Sequence, residues 1–133
     1  MAETGEIVIG NKGADFVSLR VRGRGPEGWS NAEIDVRCGG WAGSMKGSFL
    51  KGELARFAQE VRRLHCDLRG TAPLEPVEPN IALTLTGDGK GHITVDGIAR
   101  NDLASRTQLT FQFTIDQTYL EAIADSLREA DPV

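Results

Sequence analysis

Cysteine, histidine and aromatic residues are all scarce in this sequence. There are two cysteines, Cys38 and Cys66, which is too few for a secreted disulfide scaffold and fits a reducing compartment. The two histidines, His65 and His92, stand apart. Apart from the adjacent His65–Cys66 pair, no Cys or His lies two to four residues from a cysteine, so a local zinc ligand set is missing. Aromatics make up 6% of the chain and fall at inward strand positions or on a helix stripe. An RNA-binding sheet needs exposed rings among basic residues, and Trp29, just before a strand, is the one ring expected at the surface. No run approaches the roughly 18 apolar residues of a membrane span. The opening Met-Ala-Glu-Thr-Gly-Glu has neither the basic end nor the apolar stretch of a secretory leader, so a cytoplasmic address is expected.

What is present is the composition of a soluble globular domain: 133 residues, 40% hydrophobic and 26% charged. A chain of this length buries roughly two-thirds of its unfolded surface, enough to fold without disulfide or metal. The formal charge of −4 disfavours nonspecific nucleic-acid binding. That charge is unevenly placed. Residues 1–69 hold 11 Lys/Arg against 9 Asp/Glu, whereas residues 70–133 hold 4 against 10. An acidic C-terminal half suits a basic partner, whose approach it would steer.

Alternation of apolar and polar residues dominates the chain. Ile7 and Ile9; Val17, Leu19 and Val21; Ala32, Ile34, Val36 and Cys38; Ile81, Leu83 and Leu85; Ile93 and Val95; and Leu109, Phe111, Phe113 and Ile115 each mark a half-buried strand. A weaker strand places Trp41, Met45 and Phe49 at even spacing with Gly43 and Gly47 between them. Two segments change to the helical period. From Lys51 to about Leu68 the stripe is Leu54, Phe57, Ala58, Val61, Leu64 and Leu68, closed by Gly70 and Pro73. From Asp116 to about Ala130 it is Leu120, Ile123, Ala124 and Leu127, with Asp116 as the cap. The two stripes match at an offset of 66, each after a strand, which reads as a strands-then-helix unit used twice or as the generic look of such units. Pro73, Pro76 and Pro79 suggest an extended connector near 71–79, too short to separate domains.

The expected fold is therefore α+β: one domain over 1–133, with a single mostly antiparallel sheet of about seven strands and two amphipathic helices on one face, in the order ββββ-α-βββ-α. The outward face of that sheet would show Arg20, Arg22, Glu33, Asp35, Arg37, Thr84, Thr94, Thr110 and Gln112, a solvated surface or the place for a partner.

Catalytic and nucleotide motifs fail on context. Gly23-Arg24-Gly25-Pro26-Glu27-Gly28 is followed by a strand where a phosphate site needs a helix start, and Pro26 removes a donor. Gly87-Asp88-Gly89-Lys90-Gly91 reads as a hairpin turn. Ser44 has no assignable base. His92 and Asp96 lie about 13 Å apart along a strand, too far to bond. Cys38 fits as a small core residue, and Cys66, off its helix stripe near Arg62 and Arg63, could be a reactive thiol. A pocket assembled from distant residues, as in a small enzyme or ligand-binding domain, stays open, as does self-association through a sheet edge.

Several segments in order, Trp29-Ser30-Asn31-Ala32-Glu33-Ile34-Asp35-Val36, Gly47-Ser48-Phe49 leading into Glu53-Leu54, Gly89-Lys90-Gly91-His92-Ile93 and Asp116-Gln117-Thr118-Tyr119-Leu120, resemble the WapI family of bacterial immunity proteins over most of residues 6–128. The resemblance implies a cytoplasmic protein that binds and neutralises a toxin domain, in the named case a tRNA-cleaving nuclease, with no catalysis and no cofactor; no metal, no direct nucleic-acid contact and no membrane are expected from the spacing, charge and hydropathy above. Occlusion by an acidic inhibitor suits a nuclease, because RNA-binding enzymes are usually basic. The acidic turns around Asp88, Asp96 and Asp102 are the first expectation for the partner-binding surface, and the open sheet face is the second.

Overall fold

The structure is a computed structural model and describes residues 5–25 and 28–132. Four strands, β1 (Gly5–Gly10), β2 (Phe16–Arg24), β3 (Trp29–Cys38) and β4 (Trp41–Leu50), lead into helix α1 (Glu53–Asp67). Four more, β5 (Arg69–Leu74), β6 (Ile81–Asp88), β7 (His92–Ala99) and β8 (Leu109–Asp116), lead through a 3-10 turn at Gln117–Tyr119 into α2 (Leu120–Ala130). The strands form two antiparallel four-stranded sheets, A in the order β1-β2-β3-β4 and B in the order β5-β6-β7-β8.

This corrects the expectation of one sheet of seven strands with two helices on one face; the order is ββββ-α-ββββ-α. Alternation reports that one face of each strand is buried, and two stacked sheets satisfy it as well as one sheet under helices. The missing strand is β5, whose Arg-Gly-Thr-Ala-Pro-Leu occupies the first part of the expected connector. Ala72 and Leu74 point inward and are buried. Pro73 is tolerated because β5 is an edge strand, where an absent N–H breaks no ladder.

The inward faces share one core. Ile7, Ile9, Val17, Leu19, Ile34 and Val36 of sheet A belong to the same cluster as Leu83, Leu85, Val95, Phe111 and Phe113 of sheet B. Cys38, at the end of β3, donates its thiol to the Gln112 carbonyl of β8 at 3.4 Å and so ties sheet to sheet. At Gly97 the Phe111 ring lies where a side chain would stand, and it stacks on Phe113 with ring centroids 6.2 Å apart.

The helices bury the stripes expected of them: Leu54, Phe57, Ala58, Val61 and Leu64 in α1, and Leu120, Ile123, Ala124 and Leu127 in α2. Each buried Leu or Val contributes about 1.5–3 kcal/mol. The packing is reciprocal. The helix that follows sheet A, α1, lies on β5 at the edge of sheet B, whereas α2 lies on β1 at the edge of sheet A, and the helices pack on each other.

Helix α1 has no side-chain cap of its own, because Gly52 with φ 94° stands at its start. Asp131, just past α2 and 4% exposed, fills that role: its carboxylate accepts from the Gly52 amide at 2.8 Å and the Ala55 amide at 3.1 Å. At the other end Leu68 takes a left-handed conformation, φ 63°, and its carbonyl accepts from the Gly89 amide at 2.8 Å. That carbonyl presses on Gly87, where a Cβ has no room.

Candidate protein interface

The two outward faces differ in chemistry. On sheet A the register sets opposite charges side by side. Arg22 donates to Glu33 at 2.7 Å, Arg20 to the same carboxylate at 3.1 Å, Lys12 to Glu6 at 2.7 Å and Ser44 to Asp35 at 2.6 Å. Arg22 holds the Glu33 carboxyl below its ordinary range, and Lys12 does so for Glu6. The charges of this face are largely neutralised among themselves.

Sheet B faces outward with hydroxyls. Its register lines up Thr71, Thr86, Thr94 and Thr114 across all four strands, and Pro73, Thr84, Asp96 and Gln112 form another row. None of these side chains is buried. A third row brings Asp88 beside His92 and Asp116.

The structure thus places Asp88 and Asp96 on one face, joined there by Asp116, which sequence reasoning treated as a cap. Asp96 lies mid-strand in β7 rather than in a turn, and accepts from the Gln112 amide at 2.7 Å. Roughly 13 Å of strand separates it from His92 beside Asp88. Asp102 is elsewhere, past the far end of β7 in the loop leading to β8, where its carboxylate accepts from the Ala104 amide at 2.9 Å.

Asp88 closes the β6–β7 turn. It accepts from the Lys90 amide at 2.6 Å, the His92 amide at 3.1 Å and the His92 ring Nδ1 at 2.9 Å. The Lys90 amide and then the His92 ring lower its pKa from 3.8 to about 2. Sequence spacing put His92 too far from Asp96 to bond, as it is, and did not point to Asp88, which the turn folds back onto the ring. The Thr118 amide, at 2.9 Å, lowers the pKa of Asp116. Among the described residues, Asp88, Asp96, Asp102 and Asp116 have no lysine or arginine ion pair. The acidic excess of the C-terminal half is thus not cancelled by lysine or arginine at these positions, and it persists as a field there.

Of the exposed large apolar residues, Leu103 and Tyr119 follow closely on Asp102 and Asp116 in the chain, whereas Trp41 and Val77 fall elsewhere. Trp41 is 71% exposed at the β3–β4 hairpin, although its spacing aligns it with the inward Met45 and Phe49, because the strand tip runs past the core; Trp29, expected at the surface, is half-buried. Val77, in the link between β5 and β6, is 68% exposed. The Gly23–Gly28 run joins β2 to β3, with Pro26 and Glu27 outside the described residues. Cys66 is exposed on α1. No helix among the described residues is long and apolar enough to cross a membrane, and no group of three or more His, Cys, Asp or Glu among them could hold a metal ion.

Comparison with known proteins gives a likeness in family and a likeness in fold. The immunity protein WapI-like family matches residues 7–130. The solved structure of MRP1/MRP2 from Trypanosoma bruciei is similar in fold, with a TM-score of 0.50 and 13% identity over 98% of this chain and 84% of that one. No curated protein matches the chain.

Proposed function

The chain belongs to the immunity protein WapI-like family, and from that membership we propose that it binds a cognate bacterial toxin domain and neutralises it by covering the active site. The match to residues 7–130, nearly the whole of this chain, carries this reading. It supports a toxin-immunity role as such. The rest of the proposal concerns the partner. A nuclease that cleaves RNA suits an inhibitor whose carboxylates at Asp88, Asp96 and Asp102 have no lysine or arginine ion pair among the described residues, since they would occupy positions that attract RNA phosphates. In this reading Asp88 and Asp96, on the open face of sheet B, meet the toxin's basic surface, Asp102 extends the acidic field beyond it, and the chain works by contact alone, without catalysis or cofactor.

The test is co-expression with the C-terminal domain of a large protein encoded next to this chain's gene, where the immunity reading expects the cognate toxin. The chain restores growth that the toxin domain alone arrests, and the association rate of the purified pair falls steeply between about 50 mM and 500 mM salt. Growth arrest undiminished by the chain would overturn the immunity reading, and a salt-independent rate would remove its electrostatic part.

A further inference from the structure

The link between β5 and β6 is rigid despite having no regular structure. One carboxylate oxygen of Glu53 holds it to α1, accepting from the Val77 amide at 2.8 Å, while the other accepts from the Leu50 amide at the end of β4 at 2.7 Å. Asn80 is buried at the far end, with its amide donating to the Arg100 carbonyl at 3.0 Å. At the first of these anchors the Val77 side chain faces solvent, and just before it Pro76 is buried and Glu75 is exposed. An aliphatic side chain held outward on a fixed backbone loses no further backbone entropy on binding.

Two concavities meet at Glu75. One, of about 510 Å3, lies between α1 and β5 over Phe57, Pro73 and Leu74, with Glu53, Glu60 and Arg56 on its rim. The other, of about 330 Å3, opens on the outward face of sheet B over Ala82 and Ile98, with Asp96 at its edge. Glu75 lines both. The combined surface has an apolar floor and an acidic rim. Its cation Arg56 is outnumbered by Glu53, Glu60, Glu75 and Asp96; Glu60 is paired with Arg63 at 2.9 Å, and Glu75 has no ion pair among the described residues.

We infer that this double hollow is the docking surface for the toxin, and that its occupant is a basic segment of the toxin domain: an apolar side chain against Val77 and Pro73, and a lysine or arginine whose aliphatic stem crosses the floor while its charge meets Glu75. A long basic side chain is the one type that satisfies floor and rim together. The inference rests on the immunity reading and sharpens it, moving the centre of contact from the Asp88 turn to the β5 edge.

Titration calorimetry of the full chain against the toxin domain from the neighbouring gene tests it. Glu75→Lys raises Kd by roughly 30-fold or more, as expected of an interface hot spot, and Glu75→Gln raises it several-fold. Glu129→Lys makes the same charge change on the exposed face of α2, outside both hollows, and stays within about 3-fold of wild type. Glu75 is exposed, so both of its variants fold; circular dichroism checks this, and Glu75→Gln alone decides if the lysine variant does not. Wild-type binding with Glu75→Lys no weaker than Glu129→Lys overturns the docking surface and leaves the immunity reading intact. No binding by the wild type overturns both.

Discussion

Replacing Asp131 with alanine should destabilise this fold more than its place beyond the final helix suggests. Its carboxylate takes two amide protons at the start of α1, from Gly52 and Ala55, in a setting where it is 4% exposed. Loss of a helix cap costs about 0.5–2 kcal/mol, and a buried amide left without an acceptor costs about 1–3 kcal/mol. Partial access of water to the vacated site lowers the sum, so about 2–4 kcal/mol is expected for Asp131→Ala. At roughly 3–5 °C per kcal/mol for a domain of this size, Tm falls by about 6–20 °C. Asp131→Asn keeps an oxygen acceptor and gives up the charge, and should cost about 1 kcal/mol. The reference is Asp125→Ala, which removes the exposed ion pair with Arg62 and should cost less than about 0.5 kcal/mol. Urea denaturation followed by circular dichroism, with m-values compared, measures all three. A loss below about 0.5 kcal/mol for Asp131→Ala, or one no larger than for Asp125→Ala, refutes the long-range cap.

Two further outcomes follow from glycine contacts and from the titration of the β6–β7 turn. Gly87→Ala should destabilise more than Gly97→Ala, because the added methyl meets the backbone carbonyl of Leu68 in the first case and the Phe111 ring, which can turn aside, in the second; about 3 kcal/mol or more against about 1–2 kcal/mol is expected from equilibrium unfolding, and equal losses would count against the difference. The Asp88 carboxyl should titrate near 2 by NMR. Its folded value lies below the ordinary 3.8, so its contribution to stability is present above pH 3.8 and is lost as pH falls from there through about 2. His92→Ala should raise that pKa part of the way toward 3.8, since the Lys90 amide bond remains; an unchanged value would show that the ring has no part in the shift.

Much of the element list was legible because burial on one side imposes a period. The α1 stripe from Leu54 to Leu64 and the α2 stripe from Leu120 to Leu127 are buried as their spacing requires. The number of sheets was not legible, since Val17-Leu19-Val21 alternates in the same way whether it faces a helix or a second sheet. β5 was hidden by Pro73, which signals a connector unless the strand is known to be at an edge. Trp41 was misplaced because alternation gives the side of the sheet and not how far the core extends beneath it. For the interface, acidity in the C-terminal half was readable from composition, but its local cancellation on sheet A and persistence on sheet B depend on register. The pairing of Asp88 with His92 depends on a turn closing backwards. The hollows at Glu75 needed Glu53 to pin a link some twenty residues away in sequence, and no local pattern marks such a contact.

The crossed placement of the helices has a consequence for biosynthesis. β1 leaves the ribosome early, yet the helix that covers its edge begins 110 residues after that strand ends. At about 5–20 residues per second, the edge of sheet A stays bare for roughly 5–20 s on every nascent chain. An uncovered strand edge is the feature most apt to pair with a neighbouring chain. Closely spaced ribosomes on one message would set such edges side by side, so the yield of active protein depends on translation rate and on whatever shelters β1 until α2 arrives.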